Sequence, residues 1–299
     1  MKVLAIDGGG VRGVVPSAFL AYWEAQLGTP MPDKFEMFVG TSTGAIVAGS
    51  LAAGLSAADI LKMFREETAS IFGRENLSFA KKALSFKGWA LPAYSADHLK
   101  RTLESRIGDV TLGDCPRPLA ITSLDVVTGN PKIFRSGHHP DSGSDKEIRI
   151  VDAILASSAA PTYFPSVQVG TSTYVDGALW ANNPALVAIL EAKKLAMTEP
   201  NMLSLGCGRP VWGKSMGWGE QRGAIGWGGL IIPLLMTAQS DGVHGYIRQL
   251  VSTDSYLRID PPLPKELAFI DRFENVPELL ARGEQTARES ICALEDRFE

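Results

Sequence analysis

The chain has 299 residues, 45% of them hydrophobic and 21% charged, with 29 Lys and Arg against 33 Asp and Glu. That composition belongs to a globular protein with room for a sizeable core and excludes a disordered tail. A net charge of −4 excludes a general binder of DNA or RNA polymers, which needs a dominant basic field.

Cys115, Cys207 and Cys292 lie far apart and without CxxC spacing. They argue against a zinc site or any other metal centre and against a disulfide framework, and suit a reducing cytosol. The apolar run that opens the chain is too short for a signal-peptide core. Two uncharged stretches, 37–58 and 153–175, are long enough to compare with a membrane span. The first is broken by Ser, Thr and Gly and the second by Pro161 and Pro165. Both therefore read as core segments, and the chain as a soluble one that meets a membrane only at its surface.

In chain order, residues 3–6 predict a short strand running into Asp7-Gly8-Gly9-Gly10-Val11-Arg12-Gly13. A helix over 14–27 follows, stopped by Gly28, then a strand over 35–39 and a small-residue helix over 45–53. Residues 56–59 carry the cap of another helix. A strand over 119–127, a helix over 150–158 and a strand ending at Asp176-Gly177 come next. Asn182-Asn183-Pro184 opens a helix, with Asn as cap and Pro at its first position. A strand over 202–205, helices over 231–239 and 243–251 and a strand over 256–259 complete the reading. Strand, turn and helix alternating at this spacing predict a parallel sheet with helices on both faces. The chain reads as one domain over 1–299, with a variable, lid-like segment near 62–115 and a Gly- and Trp-rich segment near 206–229.

The sharpest chemical signal is Gly40-Thr41-Ser42-Thr43-Gly44, a GxSxG between a strand and a helix. Such a turn pushes the serine outward in a strained conformation, while its glycines let strand and helix approach closely. The plainer reading is a glycine-rich turn with an incidental serine. The loop 8–13 also fits GxGxxG, the pattern of a dinucleotide site. That site wants an acidic residue at the end of the next strand, where this chain has the GxSxG instead. Two glycine loops after consecutive parallel strands lie at the same edge of the sheet, so amides of the first face the serine of the second. Amides so placed make an oxyanion hole. Asp7 and Arg12 are expected to lock the loop by pairing, or to form a plain surface ion pair.

A hydrolytic serine needs a base. The order Ser42, Asp176, His244 suits a triad, yet only one strand precedes Ser42, too few for the hydrolase fold that carries such triads. Asp176, at the end of its strand, is the candidate base instead, strengthened if burial disfavours its charged form.

DGGGVRG, GTSTG and DGA in this order, with a serine near residue 40, resemble the patatin-like phospholipases. Ser157-Ser158-Ala159-Ala160-Pro161, Asn182-Asn183-Pro184 and Leu203-Ser204-Leu205-Gly206 agree, and 256–260 agrees less distinctly. The resemblance implies a three-layer α/β/α sandwich around a mostly parallel central sheet. It also implies hydrolysis of acyl esters in membrane lipids by a Ser–Asp dyad without any cofactor. Carried over by position, Ser42 is the nucleophile and Asp176 the base. Gly8, Gly9, Gly10, Val11, Arg12 and Gly13 form the oxyanion loop, with amides around Gly9, Gly10 and Val11 as donors and Arg12 as support. Gly40, Thr41, Thr43, Gly44 and Gly177 shape the elbow and turn. Cys207 stands where relatives often have Thr.

Residues 62–106 hold nine Lys and Arg against five Asp and Glu. Within them, Lys81, Lys82, Phe86, Lys87 and Trp89 interleave charge with apolar groups, a pattern suited to anionic lipid. The alternative is a core helix with a basic outer face. Some bacterial patatin-like proteins are effectors of anti-phage signalling, gated by cyclic oligonucleotides. That gives a second reading, a latent phospholipase switched on by such a ligand. Both readings place the protein in the cytoplasm, acting at the inner membrane surface. The sequence does not specify an oligomeric state.

Overall fold

The computed structural model describes residues 1–72, 92–211 and 231–298. The contact segment around Lys81, Lys82, Phe86, Lys87 and Trp89, and residues 212–229 of the Gly- and Trp-rich stretch, lie outside them.

The strands are β1 (Lys2–Ile6), β2 (Met37–Thr41), β3 (Leu119–Asp125), β4 (Pro131–Arg135), β5 (Val167–Val169), β6 (Ser172–Asp176), β7 (Asn201–Leu205), β8 (Arg209–Pro210), β9 (Tyr256–Ile259) and β10 (Pro262–Leu263). The main sheet runs β5-β6-β3-β2-β1-β7-β9, with β4 also paired to β3; β8 and β10 form a separate small pair. Strands β3, β2, β1, β7 and β9 are parallel to their neighbours in that row. Strands β4 and β6 run antiparallel to β3, and β5 runs antiparallel to β6. The sheet is therefore mostly parallel but mixed at one end.

The helices are α1 (Val14–Leu27), α2 (Met31–Lys34), α3 (Thr43–Ala52), α4 (Ala57–Phe72), α5 (Asp97–Ile107), α6 (Ile150–Ser157), α7 (Ala178–Ala181), α8 (Ala185–Ala196), α9 (Ile231–Leu250) and α10 (Val276–Phe298). Strand side chains alternate between faces, and the core divides accordingly. Leu4, Ile6 and Phe38 join one buried cluster with α1, α3, α6 and α10. Val3, Ala5, Met37 and Val39 join another with α8 and Ile247 of α9. Helices cover both faces, which is the three-layer sandwich.

Several elements depart from the sequence reading, which placed no strand at β4 or β5. Residues 231–250 form one helix rather than two, with Gly242 in its interior. Helix α10 was not anticipated. It closes the core by setting Phe298 against Phe35 and Trp23, with ring centroids 5.7 and 6.3 Å apart. Pro184 caps α8, one residue ahead of the first helical position, while the Asn183 side chain accepts the Ala185 N–H at 3.0 Å. Within the stretch 62–115, Met63, Leu99, Leu103, Ile107, Leu112 and Cys115 belong to the main buried cluster. No helix among the described residues is long and apolar enough to cross a membrane.

Candidate active site

The register of β3 brings two distant strand ends together. Thr41, the last residue of β2, pairs with Thr122, and Asp176, the last residue of β6, pairs with Ser123. Strand β4 occupies the other edge of β3 over Ala120–Leu124. Strands β2 and β6 therefore share one edge and meet end to end, one running up and one down. Whatever follows Thr41 faces whatever ends β6.

Ser42 follows Thr41. It adopts φ 55° and ψ −124°, a left-handed conformation that costs a non-glycine residue energy and is found at functional turns. Tight packing around the turn enforces it. A Cβ on Gly44 would lie 2.2 Å from the Ile6 carbonyl oxygen, so only glycine lets α3 begin against the end of β1. Gly40 lies equally close to Gly44, and Gly177 to Thr122. Thr41 Oγ1 donates to the Ala181 carbonyl at 2.6 Å and lies 2.6 Å from Thr122 Oγ1, tying the elbow to the turn after Asp176. Thr43 packs against Gly13 at the start of α1.

Ser42 Oγ donates to Asp176 Oδ2 at 2.6 Å. The other carboxylate oxygen accepts the Ala178 N–H at 2.7 Å, which fixes the orientation of the group. Asp176 is 3% exposed. Burial pushes its pKa up to about 6, although Ser42 and the Ala178 amide pull it down. The carboxylate is thus a stronger base than an exposed aspartate. The Ser42 N–H is taken by Ser157 Oγ at 2.8 Å, a contact from α6 that sequence reasoning missed.

Across from Ser42 lies the loop 8–13. Gly8 donates to the Asn182 carbonyl at 2.9 Å. Val11 donates to the Ile270 carbonyl at 2.8 Å, so its amide, expected to face an oxyanion, is already committed. Among the described residues no acceptor is paired with the Gly9 and Gly10 amides, and both glycines line the cavity that holds Ser42 and Asp176. Gly10 has φ 60°, and a Cβ there would lie 2.2 Å from the Ile270 carbonyl oxygen. An alanine would shift the loop.

The expected pairing of Asp7 with Arg12 does not form. Asp7 pairs instead with Arg258 at 2.6 Å. Arg12 is buried and donates to two backbone carbonyls, Gly208 at 3.0 Å and Gly9 at 3.4 Å. His244 lies 3.1 Å from the Tyr256 hydroxyl and does not line the cavity. Among the described residues no group of three or more His, Cys, Asp or Glu side chains could hold a metal ion.

The cavity measures about 370 Å³ and is almost wholly apolar. Ile46, Met63, Phe64, Ile71 and Leu99 line one part of it, and Ile232, Leu235 and Met236 of α9 another. Leu179 and Leu235, both more than half exposed, carry apolar surface from the cavity out to solvent. A buried hydroxyl–carboxylate pair facing free amides at the base of such a cavity suits acyl transfer on a substrate with long hydrocarbon chains.

The family model described as "Patatin-like phospholipase" matches residues 4–189. The chain is similar to a "cGAMP-activated phospholipase" of Pseudomonas aeruginosa (strain BWHPSA011 / Pa011). The two are 31% identical over 278 residues, covering 90% of this chain and 82% of that protein. A protein of the same name from Escherichia coli (strain TW11681) is 30% identical, over 96% of this chain and 88% of its own length. "Patatin-like protein 2" of Arabidopsis thaliana is 28% identical, over 98% of this chain and 84% of its own length.

Proposed function

The chain belongs to the patatin-like phospholipase family and is a lipid-hydrolysing serine esterase, and we propose that Ser42 and Asp176 form its catalytic dyad. The observation that carries this reading is the 2.6 Å hydrogen bond from Ser42 Oγ to Asp176 Oδ2 at the base of an apolar cavity.

Asp176 takes the Ser42 proton as Oγ attacks the ester carbonyl. The oxygen that becomes negative in the tetrahedral intermediate is held by the Gly9 and Gly10 amides. Each such donor is typically worth ~3 kcal/mol of transition-state stabilisation. The C–O bond then breaks, protonated Asp176 gives its proton to the leaving alcohol, and the acyl group remains on Ser42. Asp176 next deprotonates a water molecule, which attacks the acyl-enzyme. The fatty acid leaves and Ser42 regains its proton from Asp176. The apolar cavity takes acyl chains drawn from a membrane surface, with Leu179 and Leu235 at the entrance.

We further propose that a cyclic oligonucleotide raises this activity. Two relatives that align along nearly the whole chain bear the name "cGAMP-activated phospholipase". One experiment tests both readings: mass-spectrometric analysis of the products from bacterial phospholipid vesicles, with and without cGAMP. Free fatty acid and lysophospholipid are expected, at a rate that rises at least about tenfold with the ligand, a coupling of ordinary size. High release that cGAMP leaves unchanged would remove the gating reading. No release under either condition would remove the hydrolase reading.

A further inference from the structure

The loop that presents the Gly9 and Gly10 amides must hold them still, because a donor displaced from the oxyanion loses most of its effect. Glycines 8, 9 and 10 have no side chains with which to anchor themselves. The anchoring groups come from the far end of the sequence.

Arg258 stands on β9, across β7 from the β1 strand that leads into the loop. Its side chain is 7% exposed. Nη1 and Nη2 donate to the two carboxylate oxygens of Asp7 at 2.7 and 2.6 Å, a fork-to-fork pair that fixes the plane of the carboxylate as well as its distance. Asp7 is the residue immediately before Gly8. The same guanidinium donates to Asp260 Oδ2 at 2.8 Å. Asp260 Oδ1 accepts the Gly208 N–H at 3.0 Å. The Gly208 carbonyl accepts Arg12 Nη1 at 3.0 Å, and Arg12 Nε reaches the Gly9 carbonyl. One guanidinium therefore holds the loop at two points, directly at Asp7 and through Asp260, Gly208 and Arg12 at Gly9. Ser204 Oγ accepts a further bond from Nη1, and Ser240 of α9 donates to Asp7 Oδ2 at 3.2 Å.

We propose that Arg258 is a positioning residue for ester hydrolysis, fixing the oxyanion loop through its clamp on Asp7 and Asp260. Energetics favour this role over simple stabilisation. A buried ion pair returns little net stability, because desolvating both charges offsets their attraction. Burial raises the Asp7 pKa to about 6 even though Arg258 pulls it down, so the guanidinium also helps to keep the carboxylate in the ionised, two-acceptor form. Lysine offers one compact charge and cannot reproduce the fork.

The inference rests on the reading of Ser42 and Asp176 as the dyad, and its test is separable from the test of that reading. Steady-state kinetics on a soluble p-nitrophenyl ester are compared for the wild type and for Arg258→Met, Arg258→Lys and Asp260→Asn, each checked for folding by circular dichroism. Arg258→Met is expected to lower kcat about 100-fold with KM changed by no more than about twofold. Arg258→Lys is expected to recover about a tenth of wild-type kcat, since a single ammonium restores part of the clamp. A general weakening of the fold would not be rescued in that order at constant KM. If Arg258→Met does not fold, Asp260→Asn decides, because it keeps the shape of the side chain. A loss of about tenfold in kcat at constant KM supports the proposal. Unchanged kcat in a folded Arg258→Met or Asp260→Asn, or a loss confined to KM, overturns it. A wild type that hydrolyses no ester, with or without cGAMP, overturns the dyad reading instead.

Discussion

Ser42→Ala is expected to lower ester hydrolysis by at least about 10⁴-fold while leaving the melting temperature within a few degrees of wild type. Only the Oγ atom is removed, and the Cβ that remains keeps its place in the turn. The fold keeps its elbow, because the strained turn is enforced by Gly44 against the Ile6 carbonyl and not by the hydroxyl. The loss of Oγ also frees Asp176 Oδ2 from its one side-chain hydrogen bond. Residual turnover of more than a trace in a p-nitrophenyl ester assay would show that another group attacks the substrate.

Asp176→Asn is expected to be nearly as damaging, because an amide does not accept the serine proton. It also carries a pH signature. The base must be ionised, and its pKa is about 6 in the folded enzyme. Wild-type kcat/KM on a soluble ester should therefore be flat above about pH 7 and fall below about 6, approaching a tenfold loss per pH unit. Stability should move the other way. A carboxyl whose pKa is raised by folding, from 3.8 to about 6, holds its proton more tightly in the native state. Its favourable contribution is complete below pH 3.8 and is lost as pH rises through 6. At pH 8 the ionised buried group costs about 3 kcal/mol relative to an unshifted one. Asp176→Asn removes that cost, so the variant should melt higher than wild type at pH 8, with the gap narrowing as pH falls. Thermal melts at pH 5, 6.5 and 8 measure this directly. A variant less stable than wild type at pH 8 would show that the carboxylate supports the fold.

Ser42 and Asp176 were legible as candidates because each sits where local pattern and topology coincide. Ser42 lies in a glycine-framed turn between a strand and a helix, and Asp176 ends a strand before another glycine. Their meeting is a property of β3, whose register sets Thr41 and Asp176 on adjacent positions of one edge. No local spacing encodes that. The glycine loop was also legible, but its donors were only partly so. Val11 looked available until the chain beyond the core returned to place the Ile270 carbonyl over its amide.

The pairing of Asp7 with Arg12 failed for a related reason. Both residues lie in one short loop, so proximity in sequence suggested a contact. The backbone directs Arg12 toward the Gly9 and Gly208 carbonyls, and Asp7 toward a guanidinium 251 residues away. A signal existed in Tyr256-Leu257-Arg258-Ile259-Asp260, where two charges sit two residues apart on and just beyond the end strand β9. Same-face charges whose side chains turn inward ask for partners, and Asp7 is the partner of Arg258. Helix α9 read as two pieces because Gly242 resembles a break. Its flanking turns, held by packing against β9 and α8, keep it continuous.

The central claim is that Ser42 becomes acylated. The most direct measurement is peptide mapping by mass spectrometry after treatment of the folded protein with a long-chain fluorophosphonate, which forms a stable adduct with an activated serine. The account predicts a single adduct on the peptide containing Ser42, absent from Ser42→Ala and much slower to form in Asp176→Asn. An adduct on any other residue of an actively hydrolysing enzyme, or the same labelling rate in Asp176→Asn, would contradict it.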